Sequence, residues 1–508
     1  MSSTETALPA DSRRVLIGLC LAMGGALVGL ASLNFVLTPM LADLGIDEQG
    51  ASLALSIPSI ASLLVVFLAG RLGDRRGHRT VIMWMSVSFM LGSAIVAMAQ
   101  GLTLIVIGLL FQGLASTAIQ IVVFGMLSER FSEPKARAAA FGTFGMVSPF
   151  IWMCFPVLTG FVVGEVSWRW VAVLWVVSGL VILLAAKFLL PRPADVRPAG
   201  EVVTPILAGA TVAGAVLSLD QLNAEGLSAG TLAAFALTAA LAITCGILMR
   251  RLPAPAFSLQ PLGLGRTRAL LSVVVIIPLI NTVFLMTMAF QYLYGLTVLQ
   301  TAIVMIPAQA AAVLGTRFIA GPLMRRIGVT ATAATFFAIL AVAMLGSFLV
   351  QVDSPLWVPV AYITVYNVLT VAASITVTSS VLASDPDVPA DQLAAYRGSG
   401  VALGGVLAVV VMNTVVFGLA RLYMSADLEA NGLSQADAAS LMGEIESSST
   451  SVDLMSQYAA PLPSGVETSE VIAESIAAGL HINGVIGAVL ALVCVLLVRV
   501  GRKEKVRA

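Results

Sequence analysis

The stretch that decides the fold is Gly70-Arg71-Leu72-Gly73-Asp74-Arg75-Arg76-Gly77-His78-Arg79, which separates two apolar runs at 51–70 and 80–99. Glycine takes positive backbone φ angles without steric cost, so Gly70 and Gly77 allow a tight turn and a close approach of two helices. Asp74 precedes the second run, where the unpaired N–H groups and the dipole of a helix N-terminus favour a carboxylate. The segment therefore predicts a tight, basic turn between two helices.

The 508-residue chain around this turn is too apolar for a soluble protein. Hydrophobic residues make up 59% of it and charged residues only 11%, whereas a soluble domain carries about 25% charged residues. Its mean hydropathy is +1.00, and its 27 acidic and 27 basic residues leave no net charge. This composition excludes a soluble enzyme, a nucleic-acid-binding protein with a basic face and a disordered chain, and it indicates a multi-pass membrane protein.

Fourteen runs are long and apolar enough to cross a bilayer, which takes about 20 residues per helix. They are continuously apolar and do not alternate with a period of two, so they predict helices and not barrel strands. The predicted fold class is an all-α membrane protein. The runs lie at 15–39, 51–70, 80–99, 102–125, 138–161, 169–190, 203–220, 228–249, 268–293, 299–320, 329–351, 356–382, 396–420 and 478–499.

The distribution of Lys and Arg indicates the orientation, because short cytoplasmic loops carry an excess of these residues. With a cytoplasmic N-terminus, 24 of the 27 lie in inner segments. The exceptions are Arg169 and Arg421, at outer helix ends, and Arg317, inside the tenth run. We therefore predict that the tails 1–14 and 500–508 are both cytoplasmic.

The opening stretch closely resembles the loop G-x-L-[AG]-D-R-x-G-[RH]-[KR] that marks the major facilitator superfamily. A weaker copy follows the tenth run, with the same spacing between its glycines and with Arg325 in place of the acid. The resemblance implies a transporter with a gate on its inner side. The gating residues it assigns are Gly70, Leu72, Asp74, Arg75, Gly77 and Arg79 in the first copy, and Gly321, Arg325, Arg326 and Gly328 in the second.

Members of this superfamily consist of two six-helix halves. The resemblance therefore implies bundles at 15–192 and 266–499, with two inserted helices at 203–249. Further stretches are similar to the fourteen-span drug:proton antiporter branch. They are Ser167-Trp168-Arg169-Trp170, the segment from Glu129 to Arg137, and the segment from Tyr292 to Pro307.

The sequence departs from this branch where proton coupling is expected. Leu109 stands in the fourth run where the branch carries an arginine, and Leu30 in the first run where it carries an aspartate. A carboxylate buried mid-membrane titrates near neutral pH because desolvation raises its pKa, but none lies in the middle of a run. Either another group couples transport, with Asp220 and Arg317 as the candidates, or the protein is not a standard drug:proton exchanger. Arg317 can also simply snorkel to the inner surface.

Polar residues inside the runs are candidates for a substrate pathway, because they are costly in lipid unless they face the bundle or water. The alternative role for each is hydrogen bonding between helices. The pathway they predict is rich in amides and aromatics and nearly uncharged, which favours a hydrophobic or amphiphilic substrate. The candidates are Asn34, Gln112, Gln120, Ser148, Trp152, Asn281, Gln291, Gln309, Tyr362, Tyr366, Asn367 and Asn413.

One outer segment, 422–475, is long and acidic, and it is either a solvated tether or a cap over the outer mouth, with a short helix predicted at 438–445. The chain has four dispersed cysteines and two histidines, so neither a metal site, a cofactor nor a catalytic set is expected. We predict a monomeric transporter of the bacterial inner membrane, which exports hydrophobic or amphiphilic small molecules by alternating access, surrounded by membrane lipids and with no nucleic-acid partner. The alternatives are a lipid or cell-envelope precursor exporter and a non-transporting sensor on the same fold.

Overall fold

A computed structural model describes residues 10–46, 48–192, 201–225, 228–252, 263, 265–296, 298–385, 388, 390–435, 437–438, 440–441, 462–464 and 466–503. Its helices are α1 (Ala10–Leu44), α2 (Glu48–Arg76), α3 (His78–Ala97), α4 (Leu102–Arg130), α5 (Pro134–Phe144), α6 (Val147–Glu165), α7 (Trp168–Leu189), α8 (Val203–Glu225), α9 (Ala229–Arg251), α10 (Gly265–Ile276), α11 (Val283–Tyr292), α12 (Val298–Val304), α13 (Ile306–Gly315), α14 (Gly321–Ile327), α15 (Val329–Met344), α16 (Trp357–Val381), α17 (Ala390–Val411), α18 (Gly418–Ala430) and α19 (Thr468–Lys503). Short 3-10 helices lie at Ile277–Ile280 and Leu345–Leu349, and π-helical turns at Thr316–Ala320 and Met412–Phe417.

The prediction that the apolar runs are helices is confirmed. In the part of the chain that the structure describes, 11 helical segments are long and apolar enough to cross a membrane. Two shorter apolar helices, Ile60–Gly73 and Val203–Leu219, coincide with two further runs, and α17 and α18 cover the thirteenth. The count of fourteen spans stays a prediction.

Several helices extend beyond the apolar runs or are broken within them. α1 begins at Ala10 and ends at Leu44, and α19 begins at Thr468, well before the fourteenth run. Hydropathy marks only the part of a helix that suits lipid, whereas the backbone hydrogen bonds continue into polar flanks. The fifth run is divided into α5 and α6, and the tenth contains the π-helical turn Thr316–Ala320.

The first seven helices pack as one bundle. α4 packs along α2 and α3, and α7 packs against α1 and α3. The closest approach is between α3 and α4, where a Cβ on Gly108 would lie 2.6 Å from the carbonyl oxygen of Gly92. Small residues of this kind let helix backbones approach in a membrane, where van der Waals contact rather than the hydrophobic effect drives helix association.

The second bundle contains α10 to α19. α15 packs against α16 and α19, α13 packs against α16, and α10 packs against α17 and α19. The inserted helices α8 and α9 pack on each other, and α8 also contacts α2 of the first bundle and α17 of the second. The insertion therefore lies beside a boundary between the two bundles.

The helix ends lie at two opposite faces of the molecule, and a hydrogen bond between the ends of α3 and α7 marks each face. On one face the Arg79 Nη2 donates to the carbonyl oxygen of Lys187 at 2.8 Å, which joins the start of α3 to the end of α7. On the opposite face the Arg169 Nη2 donates to the carbonyl oxygen of Ala99 at 3.2 Å. We call the first the motif face, because the stretch from Gly70 to Arg79 lies on it. Which face fronts the cytoplasm stays a prediction.

On the opposite face, part of the predicted outer segment packs into a small cluster of its own. The cluster joins α18, the first turns of α19 and the chain between them, and its buried members are Met424, Leu428, Ala438, Leu462, Val471 and Ile472. These stretches are packed on helix ends and do not form a free tether. Residues 442–461, with most of the helix predicted at 438–445, lie outside the described residues.

Candidate functional site

The break between α2 and α3 is a single residue, Gly77. α2 continues through Asp74 to Arg76, and Gly77 then takes φ 83° and ψ 136°. Its N–H donates to the carbonyl oxygen of Gly73 at 2.9 Å, and its own carbonyl accepts from the Val81 N–H at 3.2 Å. The turn is tighter than the sequence predicts, and Asp74 lies in the last turn of α2 instead of capping α3. The side chain of Asp74 lies outside the described residues.

Side chains on either side of Gly77 hold this elbow in place. The His78 Nδ1 lies 3.8 Å from the Glu129 Oε2 at the end of α4. The Arg76 guanidinium lies over the Trp84 ring, 5.3 Å from its centroid. The first contact links the elbow to the end of α4, and the second links the end of α2 to the second turn of α3. The other residues matched to the gating motif in this copy, Gly70, Leu72 and Arg75, lie in the C-terminal part of α2.

The weaker second copy of the motif forms the same elbow between α14 and α15. Gly328 takes φ 83° and ψ 159°. Its N–H donates to the Met324 carbonyl at 3.1 Å, and its own carbonyl accepts from the Thr332 N–H at 3.1 Å. The two copies therefore share a backbone conformation as well as a glycine spacing. The remaining predicted residues of this copy are Gly321, which begins α14, and the exposed Arg325 and Arg326.

The two bundles touch on the motif face through α5 and α14. A Cβ on Gly142 would lie 2.9 Å from the Gly321 Cα, which is closer than a real Cβ comes to another backbone. A Cβ on Gly145 would lie 3.2 Å from the Ile375 Cγ1. Gly142 on α5 thus allows the halves to meet nearly backbone to backbone, and Gly145 directly after α5 leaves room for side chains of the second bundle. The motif resemblance predicts a gating role for Gly321, but the sequence carries no signal for its partner Gly142.

A second contact between the bundles places a cation on an aromatic ring. The Arg397 guanidinium lies over the Phe124 ring of α4, 4.8 Å from its centroid, and its Nε donates to the Thr378 Oγ1 of α16 at 2.7 Å. Close by, the Phe67 and Tyr396 rings meet edge to face at 5.5 Å. Arg397 therefore links α4 of one bundle to α16 and α17 of the other.

Two of the predicted pathway residues are joined directly. The Asn367 Nδ2 donates to the Gln309 Oε1 at 3.0 Å and to the carbonyl oxygen of Ala308 at 3.1 Å. Tyr362 and Tyr366 lie one turn apart on α16, the helix that carries Asn367. Both are buried, with 8% and 3% of their surface exposed. The second bundle thus carries a hydrogen-bonded, uncharged amide pair, with two phenols on the same helix as Asn367. That these residues line a substrate pathway stays a prediction.

This polar group lies near the boundary between the bundles. α13, which carries Gln309, packs against α6 as well as against α16. Ser148 and Trp152, two further predicted pathway residues, lie on α6 and are half-buried. These residues therefore lie on helices that meet across the two halves.

Other predicted pathway residues are engaged elsewhere. The Gln112 Nε2 donates to the Ser93 Oγ at 3.2 Å inside the first bundle, and Gln112 is 5% exposed. The Gln120 Nε2 donates to the Ser116 Oγ at 3.3 Å on its own helix. The bond of Gln112 joins α4 to α3 and matches the alternative role of holding helices together, whereas the bond of Gln120 stays within α4. Asn281 is exposed, and its Oδ1 accepts a hydrogen bond from the Val283 N–H at 2.8 Å at the start of α11. Gln291 is half-buried. The side chains of Asn34, Asn413 and Asp220 lie outside the described residues.

Arg317 lies in the π-helical turn before α14 and lines a cleft of about 1400 Å³. Its guanidinium lies 5.7 Å from the centroid of the Phe318 ring. Most of the cleft is formed by α1, α5, α6 and α7, so it lies beside the first bundle. We call it the lateral cleft.

On the opposite face, the carboxylate of Asp43 links the end of α1 to the start of α7. The Asp43 Oδ2 accepts from the Trp168 Nε1 at 2.9 Å and from the Arg169 Nη1 at 2.6 Å. These hydrogen bonds favour the charged form and lower the pKa of Asp43. The segment around Trp168 and Arg169 is similar to other members of the branch, but the spacing along the sequence does not indicate Asp43 as its partner.

The chain belongs to the major facilitator superfamily: the profile described as "Major Facilitator Superfamily" matches residues 17–409. It therefore belongs to a family of multi-pass membrane transporters. Solved structures share the fold. The human organic anion transporter MFSD10 (TETRAN) is 16% identical with a TM-score of 0.57, covering 96% of this chain and 100% of that chain. The E. coli fucose:proton symporter FucP is 14% identical with a TM-score of 0.56, covering 96% and 98%.

Curated relatives, two with drug-related names and one named for a lipid, match parts of the chain. Multidrug resistance protein 3 of Bacillus subtilis (strain 168) is 28% identical over 173 residues, which is 33% of this chain and 32% of that protein. Drug efflux pump JefA of Mycobacterium tuberculosis is 24% identical over 273 residues, 52% and 53% of the two chains. A triacylglyceride transporter of Mycolicibacterium hassiacum is 29% identical over 195 residues, 36% of each. The matches thus span between a third and about half of these relatives' length.

Proposed function

We propose that this transporter exports hydrophobic or amphiphilic small molecules by alternating access, as a fourteen-span member of the superfamily in a bacterial inner membrane. The observation that carries the proposal is the contact between the bundles on the motif face. Gly142 and Gly321 meet backbone to backbone there, and Arg397 lies on Phe124 close by. These contacts belong to a state in which the motif face is closed, and transport requires a second state in which they separate.

The chemistry of the boundary helices supports the substrate class. Asn367 and Gln309 form an uncharged amide pair, and Tyr362 and Tyr366 lie on the same helix. Amides and phenols orient a ligand by hydrogen bonds, and aromatic rings add apolar surface. If these side chains face a substrate pathway, as we propose, they suit an amphiphile better than a small anion or a sugar. The drug-efflux names of several relatives favour the same substrate class.

The test is transport of a fluorescent amphiphilic cation by the purified chain in proteoliposomes. We expect uptake into inside-out vesicles by the unaltered protein and a loss of at least tenfold for Asp74→Asn, with insertion unchanged. The reason is that the motif resemblance assigns Asp74 to a gate that closes in only one of the two states. Glu165→Gln, which also removes an acid at a helix end, serves as the control and is expected to transport normally. Full activity of Asp74→Asn would contradict the gating role.

Coupling is tested separately, by counterflow without a proton gradient. Exchange of labelled substrate under these conditions is expected if the protein alternates between two states regardless of coupling. Absence of both uptake and counterflow for every amphiphile tried would favour a non-transporting sensor. Dissipating the gradient during net transport then shows whether protons drive it.

A second candidate, export of a lipid or a cell-envelope precursor, is favoured by the similarity to the triacylglyceride transporter. It is distinguished by loading the same vesicles with a fluorescent neutral lipid. Movement of the lipid but not of the amphiphilic cation would select this alternative.

A further inference from the structure

The lateral cleft is distinct from the boundary between the two bundles. α1, α5, α6 and α7 supply nearly all of its lining, and the second bundle adds only Val313, Arg317 and Arg325. The cleft therefore runs along the side of the first bundle and reaches the second only at one end. Its volume of about 1400 Å³ is large enough for an extended ligand.

The walls of the lateral cleft are apolar and open sideways. Ile17 on α1, Phe150 on α6 and Val177 on α7 each contribute to it and are 52%, 50% and 50% exposed. Lipid tails are about as apolar as these side chains, so an acyl chain packs against them as well as protein does. The walls of the cleft therefore suit a hydrocarbon chain.

The cleft has the length of one lipid leaflet. On α1 its lining extends from Arg13 to Val28, which at 1.5 Å per residue is about 22 Å. One leaflet of a bilayer, including its headgroup region, is about 20–22 Å thick. An acyl chain that enters from the motif face can thus lie in the cleft along its whole length.

Cations collect at the end of the cleft on the motif face. Its lining includes Arg13, Lys135, Arg317 and Arg325, and Glu133 is the one acid among the described residues that line it. Arg13 and Lys135 stand at the starts of α1 and α5, so their side chains lie at headgroup depth. Among the residues that the structure describes, none of the four cations has a carboxylate within ion-pair distance. An excess of positive charge therefore meets the surface at the mouth of an apolar cleft.

We propose that the lateral cleft binds one anionic phospholipid from the leaflet at the motif face. The phosphate lies among Arg13, Lys135, Arg317 and Arg325, and an acyl chain lies against α1, α6 and α7. Arginine binds phosphate through paired, charge-assisted hydrogen bonds, and the apolar walls replace the lipid contacts of the chain. Because Arg317 and Arg325 belong to the second bundle, a bound headgroup also ties the two bundles together on this face.

The test uses the purified full-length protein in a neutral detergent, with phosphatidylglycerol or phosphatidylcholine added in mixed micelles. Thermal unfolding and native mass spectrometry report binding. We expect phosphatidylglycerol to raise the Tm and to remain bound in the gas phase, at concentrations where phosphatidylcholine does neither. Replacing both second-bundle cations, Arg317→Gln with Arg325→Gln, is expected to raise the half-maximal phosphatidylglycerol concentration about tenfold or more, since each cation near an anionic headgroup contributes about fivefold.

Arg326→Gln is the matched control, because Arg326 neighbours Arg325 and is equally exposed but does not line the cleft. An equal loss in this control and in the double variant would overturn the proposal. A second pair, Arg13→Gln with Lys135→Gln, changes exposed side chains of the first bundle only and must weaken binding as well. No effect of this pair would also overturn it.

Glycerol phosphate separates a lipid from a soluble phosphate. If it raises the Tm as much as phosphatidylglycerol does, the cations form a phosphate site and the apolar cleft has no part in binding. We expect it to have no effect below a hundredfold higher concentration. None of these measurements requires transport. A failure to export drugs in vesicles would therefore not contradict lipid binding, and a failure to bind lipid would not contradict drug export.

Discussion

Gly77 and Gly328 adopt the same backbone φ, 83°, at equivalent points of the two bundles. Each ends one helix and begins the next, with its N–H bonded to the carbonyl four residues before it and its carbonyl bonded to the N–H four residues after it. The sequences around them differ at the acid, which Arg325 replaces in the second copy. The shared geometry therefore depends on the glycine and not on the charges near it.

Alanine at either elbow is expected to destabilise the protein by a similar amount. With ψ at 136° and 159°, both residues lie in a region of backbone space that is nearly restricted to glycine, and a Cβ there costs about 1–3 kcal/mol. Gly77→Ala and Gly328→Ala should each lower the Tm in detergent. Gly246→Ala, inside α9 with open space around it, should leave the Tm unchanged or raise it. An unchanged Tm for both elbow variants would contradict the strain argument.

Gly142→Ala is expected to open the motif face, and Gly321→Ala is not. The added Cβ meets the Gly321 Cα at 2.9 Å in the first case, whereas a Cβ on Gly321 meets the Gly142 Cα at an ordinary 3.6 Å. Overpacking of this kind costs about 1–3 kcal/mol, which shifts a two-state equilibrium by about 5- to 150-fold. Spin labels at positions 130 and 326, in a background without the native cysteines, measure the distance between the bundles. Identical distance distributions in the two variants would contradict the role of Gly142 in closure.

Arg397 is expected to stabilise closure through Phe124. A cation on an aromatic ring contributes about 0.5–2 kcal/mol, so Arg397→Met and Phe124→Leu should each increase the open population, with a coupling of that size in the double-mutant cycle. Arg76 and Trp84 provide the control, because this pair has a similar geometry but lies within one bundle. Its cycle should change stability without changing the distance between the labels. Additive effects of the Arg397 and Phe124 changes would argue against a direct contact.

The bonds to Asp43 predict a loss of stability in acid. Its pKa is lowered in the folded protein by the hydrogen bonds from Trp168 and Arg169, so the contribution is fully present above the unfolded value of about 3.9 and is lost as the pH falls through the folded value. The Tm difference between the unaltered protein and Asp43→Asn should therefore be constant near neutral pH and shrink below about pH 4. Asp353→Asn, on the same face, is the control. A difference that stays constant down to pH 3 would contradict this assignment.

Substitutions of Asn367 and Gln112 distinguish a residue that contacts substrate from one that only holds helices together. Asn367→Leu removes a donor near the boundary of the bundles, so we expect a KM at least fivefold higher for an amphiphilic substrate. Gln112→Leu removes the bond to Ser93 inside the first bundle, which should lower stability by about 1 kcal/mol and leave the KM unchanged. The measurement is initial transport rate against substrate concentration, corrected for protein inserted. A raised KM for Gln112→Leu with an unchanged KM for Asn367→Leu would indicate that the substrate pathway lies in the first bundle.

The candidate site was only partly predictable from the sequence. The spacing of Gly70, Asp74 and Gly77 identified the elbow, because a short turn has a local signature in glycine and charge. Gln309 and Asn367 were found as polar residues in apolar runs, but Gln112 met the same criterion and bonds within one bundle. Polarity inside a run shows that a side chain needs a partner, and it does not show whether that partner is another helix or a ligand.

Contacts between distant segments were not predictable at all. Gly142 meets Gly321, and Arg397 meets Phe124, across hundreds of residues of sequence. Arg397 was counted as an ordinary inner cation, yet it lies within α17, at the boundary between the bundles. A single sequence carries no record of which helix faces become neighbours.

By itself, the sequence determined that this protein is helical, lies in a membrane and turns at Gly77, because hydropathy, charge distribution and glycine spacing act over one helix length. Only the tertiary structure decided which glycines bring the bundles together, which amides bond inside one bundle, and where Arg13, Lys135, Arg317 and Arg325 meet. Lipid solvates all apolar helix faces nearly equally, so the choice of partner depends on shape and close packing, which exist only once the helices are assembled.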